Sequence, residues 1–261
     1  MNAVNPETVL VTGASSGIGL ELARCFAADG SRLVLLARNT PALEKLAGEL
    51  RRDYKVEATV LTADLSQSET AKKIFSELKG RGIVVDILVN NAGFGAHGLF
   101  SELPLQRQLD MIQVNVNALT ELTGLFLTGM LERRHGGVLN VASVAGFVPG
   151  PGMAVYYATK AFVLSFTEAL AGELAGTGIK VMALCPGPTA TNFETVAHAK
   201  DARLVRVARM SSKKVALQGH RTFRGGRVVA ISGWRNRLLV FLIRLTPRLR
   251  VRGIVKKFNG F

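Results

Sequence analysis

Residues 153–162, MAVYYATKAF, set two adjacent tyrosines just ahead of a lysine. Side chains three and four apart on a helix are neighbours, so Tyr157 and Tyr156 both come within reach of Lys160. A phenol beside an ammonium can act as an acid toward a reacting oxygen, because the positive charge stabilises the phenolate. The same three residues can also be ordinary packing with a charged rim. Helical spacing leaves both tyrosines open as the chemical one.

A second group of residues has the types and order needed to hold a dinucleotide. In VTGASSGIGLELA, Gly13, Gly17 and Gly19 lie between an apolar run and an amphipathic one. Glycines at a strand-to-helix turn let the backbone approach a pyrophosphate, which then sits at the positive end of the helix. The spacing is Gly-x-x-x-Gly-x-Gly rather than Gly-x-Gly-x-x-Gly, and the place after a strand and before a helix strengthens it. The next run, RLVLLAR, ends in Arg38, with no acid before Glu44. An arginine there can hold a ribose 2′-phosphate where a carboxylate would hold the free hydroxyls, so NADP(H) is favoured over NAD(H). Asp64, in LTADLS, either accepts from an adenine amino group or caps the following helix.

These residues need elements to position them. TVLVTG, RLVLLAR, VEATVLTAD, VDILVNNAG, GGVLNVAS, IKVMALCPG and GRVVAISG read as seven strands, β-branched-rich and ended by Gly, Asn, Asp, Ser or Arg. Amphipathic segments such as GLELARCFAADG and AFVLSFTEALAGELAGTG separate most of them. The expected fold is therefore a single α/β domain, a doubly wound parallel seven-stranded sheet of Rossmann type with helices on both faces. The expected organisation is a dinucleotide-binding and catalytic domain over 1–232 and a basic amphipathic extension over 233–261. Residues 189–211 lack a strand pattern and read either as a surface connection or as a substrate lid.

In that order, TGASSGIG (12–19), NNAG (90–93), QVNVNA, NVASVAG, YYATK (156–160) and PGPTAT (186–191) resemble the motifs of the short-chain dehydrogenase/reductase family, over residues 8 to about 232. The resemblance implies an oxidoreductase that interconverts a carbonyl and a secondary alcohol by hydride transfer. Its Tyr-x-x-x-Lys pattern selects Tyr156 as acid/base. Tyr157 is left as a packing residue whose replacement by Phe is expected to be nearly silent. By the same resemblance Lys160 lowers the Tyr156 pKa and holds the nicotinamide ribose, Ser143 holds the substrate oxygen, and Asn115 holds a proton-relaying water. Cofactor contacts are expected from Gly13, Ser15, Ser16, Gly17, Ile18, Gly19, Arg38, Asp64 and Leu65, then from Asn90, Ala92, Gly93, Tyr156 and Lys160. Pro186, Gly187, Thr189 and Thr191 would embrace the nicotinamide carboxamide. Ser16 doubles as a helix-capping position. Phe94, Phe147, Val148, Pro149 and Phe193 are expected to line an apolar substrate pocket, which favours a hydrophobic carbonyl or alcohol. The family's helices LDMIQVNVNALTELTGLFLTGML and YYATKAFVLSFTEAL imply a homodimer or homotetramer.

The chain has 261 residues, 33 Lys and Arg, 19 Asp and Glu, and a net charge of +14. Residues 200–261 hold 17 of those 33 cations and one acid, Asp201, leaving 16 cations against 18 acids in 1–199. The basicity thus belongs to the C-terminal quarter. There Leu238 to Ile243 form an apolar run flanked by Arg235, Arg237, Arg244, Arg248, Arg250 and Arg252. It is too short to span a bilayer, and it reads either as peripheral contact with an anionic membrane or as a helix that caps the pocket or pairs with a second copy. No aromatic interleaving supports nucleic acid. Cys25 and Cys185 lack metal-ligand or redox spacing and read as core residues, consistent with a reducing, cytoplasmic setting. His97, His135, His198 and His220 read as surface or loop residues with no metal-binding spacing, His97 lying near where substrate would enter. TVLVTGA is too short for a secretory signal. The competing reading, an idle cofactor-binding sensor or membrane-recruited scaffold, has no use for Tyr156, Lys160, Ser143 and Asn115 together.

Overall fold

The computed structural model describes residues 6–191 and 209–261. The expected strands form β1 (Thr8–Thr12), β2 (Arg32–Ala37), β3 (Ala58–Thr62), β4 (Ile87–Asn90), β5 (Gly136–Val141), β6 (Ile179–Cys185) and β9 (Val229–Ile231). They make one sheet in the order β3-β2-β1-β4-β5-β6-β9, with every neighbouring pair parallel. A separate two-residue pair, β7 (Thr189–Ala190) with β8 (Met210–Ser211), flanks the stretch expected as a lid. Residues 192–208 of that lid, with Phe193 and His198, lie outside the described residues.

Alternation along each strand sends side chains to two cores. Val9, Val11, Leu33 and Leu35 pack against α1 (Gly17–Ala28), α2 (Thr40–Tyr54) and α7 (Ser212–Arg224). Leu10, Val34 and Leu36 pack against α3 (Thr70–Gly80), α5 (Leu119–Arg133) and α6 (Ala154–Glu173). Both faces are thus covered, which is why the strands read as continuous apolar runs rather than as alternating ones.

The chain winds outward from β1 through β2 to β3, then returns to lay β4 on the other side of β1. Strand order reverses there, and a crevice opens at the carboxyl ends of β1 and β4. α4 (Leu105–Ile112) continues through a π-helical turn, Gln113–Ala118, into α5. After β9 come two helices, α8 (Trp234–Leu245) and α9 (Arg248–Phe258), separated at Thr246–Pro247. Proline lacks the N–H and fixes φ, so the second helix starts at the residue after it.

Candidate active site

The crevice widens into a cavity of about 1040 Å3 that runs from the β1–α1 turn to the start of α6. Thr12, the last residue of β1, anchors its rim. Its hydroxyl donates to Val89 O and accepts from the backbone N–H of Asn91 and Ala92 at 3.0 and 2.9 Å. The Asn91 amide donates back to the carbonyls of Thr12 and Gly13. The glycine turn is thereby locked to the end of β4. Gly13 and Gly17 have φ of +66° and +59°, and a Cβ on Gly13 would stand 2.8 Å from Asn91 Nδ2. Only glycine fits that backbone, and the bare turn it leaves ahead of α1 is a cradle suited to a pyrophosphate.

Ser15, Ser16, Ile18, Arg38, Asp64, Leu65, Ala92, Gly93, Pro186, Gly187, Thr189 and Thr191 all border this cavity with Ser143, Tyr156 and Lys160, whereas Asn115 does not. Ser16 is the residue before the first turn of α1, with extended backbone and no capping hydrogen bond from its side chain. Arg38 is exposed and makes no hydrogen bond or ion pair among the described residues. Asp64 accepts from Ser66 N at 3.0 Å, so its carboxylate shapes the local turn while still facing the cavity.

Two expectations are corrected. Asn90 does not border the cavity. It is buried, and its amide donates to Thr123 Oγ1 at 3.1 Å and Asn140 Oδ1 at 2.9 Å. As the last residue of β4 it points into the polar seam joining β4, β5, α5 and α6. Asn91, one residue later, takes the place at the rim. Gly19 is likewise buried behind the turn, where a Cβ would collide with Asn91 and Gly13 O. Its role is close packing of α1 rather than contact.

The reacting end of the cavity is assembled by β5, α6 and the π-helical turn. Ser143 follows β5. Its hydroxyl accepts from Ala145 N at 3.1 Å, donates to Pro186 O at 3.5 Å, and borders the cavity together with Tyr156. Burial pushes the Tyr156 phenol above its ordinary range; the Ser143 hydroxyl opposes that and the Tyr157 phenol adds to it. Lys160, one turn further along α6, is buried, and burial brings its ammonium down to about 8. Its Nζ donates to Val141 O at 2.8 Å and lies 5.9 Å from the Tyr156 ring centre. Burial therefore dominates both groups: the dry site disfavours phenolate and ammonium alike.

Asn115 sits in the π-helical turn and is buried. It gives its two amide protons to Phe94 O and Thr159 Oγ1, both at 3.0 Å, and accepts from Phe94 N at 3.1 Å. Its side chain is thus a clamp between the loop after β4 and α6, rather than a free donor for a relay water. π-Turns recur at functional sites because they re-aim one face of a helix, and this one faces Lys160 across Gly93.

The C-terminal helices close the far wall, which sequence reasoning left open between membrane, pocket and interface. Asn236 and Leu239 of α8, with Phe258 and Asn259 at the end of α9, border the cavity. The Tyr157 hydroxyl donates to Asn259 Oδ1 at 3.3 Å, and the Asn259 amide donates to Pro151 O at 2.8 Å. His97 Nε2 donates to the Asn259 carbonyl at 2.8 Å, and its ring lies 5.2 Å from that of Phe261. Tyr157 packs with Ala145 and Met153 as expected and is in addition a docking point for the C-terminus, as is His97. His220 also departs from the surface reading. It is buried on α7, donates to Asp29 Oδ2 at 2.8 Å and is lowered by burial. Among the expected pocket wall, Phe94 borders the main cavity. Phe147, Val148 and Pro149 instead border a second cavity of about 710 Å3. The Gly150 backbone presses on the Tyr157 ring, so this stretch runs behind Tyr157 rather than in front of it. Burial pushes the Cys25 thiol up to about 11 and the Cys185 thiol up to about 12, which keeps both as inert thiols. Among the described residues no group of His, Cys, Asp and Glu could hold a metal ion.

Comparison with known proteins matches this arrangement to a described family. A short chain dehydrogenase family model matches residues 7–202. The chain is 40% identical over 189 residues to a putative ketoacyl reductase of Streptomyces coelicolor, covering 72% of each protein. It is 35% identical over 193 residues to a very-long-chain 3-oxoacyl-CoA reductase of Anas platyrhynchos, covering 72% of this chain and 61% of that protein, so it spans less than two thirds of that relative. Among solved structures it is similar to a short-chain dehydrogenase of Sphingobium yanoikuyae in complex with NADPH. The TM-score is 0.82 at 32% identity, over 91% of this chain and 93% of the other. A short chain dehydrogenase/reductase of Burkholderia phymatum in complex with NAD aligns with a TM-score of 0.81 at 26% identity, over 93% and 94% of the two chains.

Proposed function

The chain belongs to the short-chain dehydrogenase/reductase family, which uses NAD(P), and from that premise we propose that it is an NADP(H)-dependent oxidoreductase interconverting a hydrophobic ketone and its secondary alcohol. The observation that carries the reading is the meeting of Ser143, Tyr156 and the buried Lys160 on one glycine-cradled cavity. The cradle at Gly13 and Gly17 fits a dinucleotide, and Arg38 is the cation available to a 2′-phosphate. Ala92, Gly93, Pro186, Gly187, Thr189 and Thr191 would hold the rest. Bound there, the cofactor supplies or accepts the hydride.

The chain's own residues handle the proton. Ser143 orients the carbonyl oxygen beside the Tyr156 hydroxyl and stabilises charge as it develops there. Tyr156 gives its phenolic proton to the alkoxide as that forms. Burial keeps the phenol protonated, which suits donation. A phenolate so formed has the Lys160 ammonium about 6 Å from its ring. That attraction favours the phenolate and works against the burial penalty, so the proton can return. Phe94, Met153, Leu239 and Phe258 give the cavity an apolar wall, which supports a hydrophobic substrate. Leu105, Leu109, Ile112 and Phe162 are exposed on α4 and α6 and support association into a homodimer or homotetramer.

Tyr156→Phe should lower turnover by on the order of 10³-fold while NADPH still binds, because a positioned general acid is lost and nothing else. Turnover of a ketone panel followed at the nicotinamide absorbance, with binding by calorimetry, checks this. Activity near wild type would sink the mechanism.

A further inference from the structure

The helices α8 and α9 are thinly seated for their apolar content. Each buries a single residue, Val240 and Val251. Nine of the nineteen exposed large apolar side chains fall within 234–258. On α8 they recur at helical spacing: Trp234, Leu238, Phe241, Leu242 and Leu245 are 68, 49, 59, 50 and 70% exposed. Positions i, i+4, i+7, i+8 and i+11 form one stripe. Asn236, Val240 and Ile243 lie on the opposite side, facing the cavities and the core. The helix thus has an outward apolar face in addition to the inward one that closes the site. Leu249, on α9, is 74% exposed.

The charge on this surface has one sign. Residues 234–261 contain eight cations, at 235, 237, 244, 248, 250, 252, 256 and 257, and no Asp or Glu. Among the described residues none of the eight makes an ion pair. Arg235 lies over the Trp234 ring, Arg244 over the Phe147 ring, and Arg237 donates to Ile231 O. A second copy docked face to face would set eight cations against eight, which like-charge repulsion disfavours. An apolar stripe bordered by cations and carrying an aromatic at its margin matches an anionic lipid surface, where side chains enter the acyl boundary and arginines meet headgroups.

We propose that the outward face of α8, with the cations of α9, docks on an anionic bilayer as a peripheral, non-spanning contact. Leu239 and Phe258 belong both to the exposed apolar set and to the cavity wall. Docking therefore brings the cavity edge to the lipid, where an apolar substrate is concentrated. The inference stands apart from the redox reading and its test needs no turnover.

Flotation of the full chain with vesicles of phosphatidylcholine alone, or mixed with phosphatidylglycerol, measures the contact. The wild type should float with the mixed vesicles only, and added salt should weaken it. Arg248→Gln/Arg250→Gln/Arg252→Gln should reduce partition on the order of 100-fold, about fivefold for each surface cation lost. Leu242→Ser/Leu245→Ser should also lose flotation while keeping the wild-type circular dichroism and the wild-type mass by light scattering. Wild-type protein left unbound by mixed vesicles, or flotation that survives both variants, would overturn the proposal. So would a fall in mass for the leucine variant, which would assign the stripe to a second copy.

Discussion

At the end of β4 two adjacent asparagines do different work. Asn90 is spent inside the protein on Thr123 and Asn140, whereas Asn91 ties the glycine turn to the strand end. The pair NN is plain in sequence, but which member meets the rim depends on where the strand stops. One residue of register turns a side chain to the other face. Arg38 is simpler. Ending β2 on an arginine with no acid nearby is visible in sequence, and the side chain does border the cavity as an unpaired cation. Arg38→Asp should therefore weaken NADPH relative to NADH by about 10- to 100-fold, since a charge-assisted contact of roughly 1.5–3 kcal/mol becomes a repulsion. Dissociation constants for both nucleotides check it, and an unchanged ratio would refute the phosphate assignment.

The helices set which tyrosine does what. Tyr156 and Tyr157 both precede Lys160 on α6, and their rings meet edge to face at 6.0 Å. Tyr156 turns toward Ser143, and Tyr157 toward the end of α9. Sequence reasoning chose Tyr156 for the proton, and the structure directs its side chain to the reacting end of the cavity. It treated Tyr157→Phe as nearly silent, having no sight of Asn259, 102 residues away. Removing that hydroxyl leaves a buried Asn259 oxygen without its donor, at a cost of about 1 kcal/mol. Tyr157→Phe should keep kcat near wild type but lower Tm by roughly 2–4 °C. Backbone amides of 248–261 should exchange faster by hydrogen-exchange mass spectrometry. Wild-type exchange and Tm together would return Tyr157 to a packing role.

For the whole molecule, one buried charge makes stability depend on pH. Lys160 titrates at 10.5 when unfolded and at about 8 when folded, because burial disfavours the ammonium. Between those values the unfolded chain holds the extra proton, so stability contributed by this group rises with pH across that window. The change is about 3 kcal/mol at 1.36 kcal/mol per unit. The stability of wild type relative to Lys160→Met should move by that amount in the wild type's favour from pH 8 to 10.5. Denaturant unfolding at several pH values checks this, and a constant difference would overturn it. Keeping that strain below pH 8 is the expense of having an ammonium where a phenolate forms.

The sequence by itself determined the parallel sheet, the glycine turn, the grouping of Ser143, Tyr156 and Lys160 at one cavity, and the segregation of charge into the last quarter. Those features are local: strand and helix periodicities, a turn that only glycine fits, and motifs a few residues long. Tertiary structure decided the rest. It set Asn90 apart from Asn91, spent the Asn115 side chain on Phe94 and Thr159, moved Phe147 to Pro149 behind Tyr157, and brought Asn259 back over the cavity to Tyr157, Pro151 and His97. These are hydrogen bonds and contacts between positions up to 162 residues apart. No period or spacing encodes which distant partner satisfies a buried polar group; that choice is made when the layers pack and each such group must find a donor or acceptor.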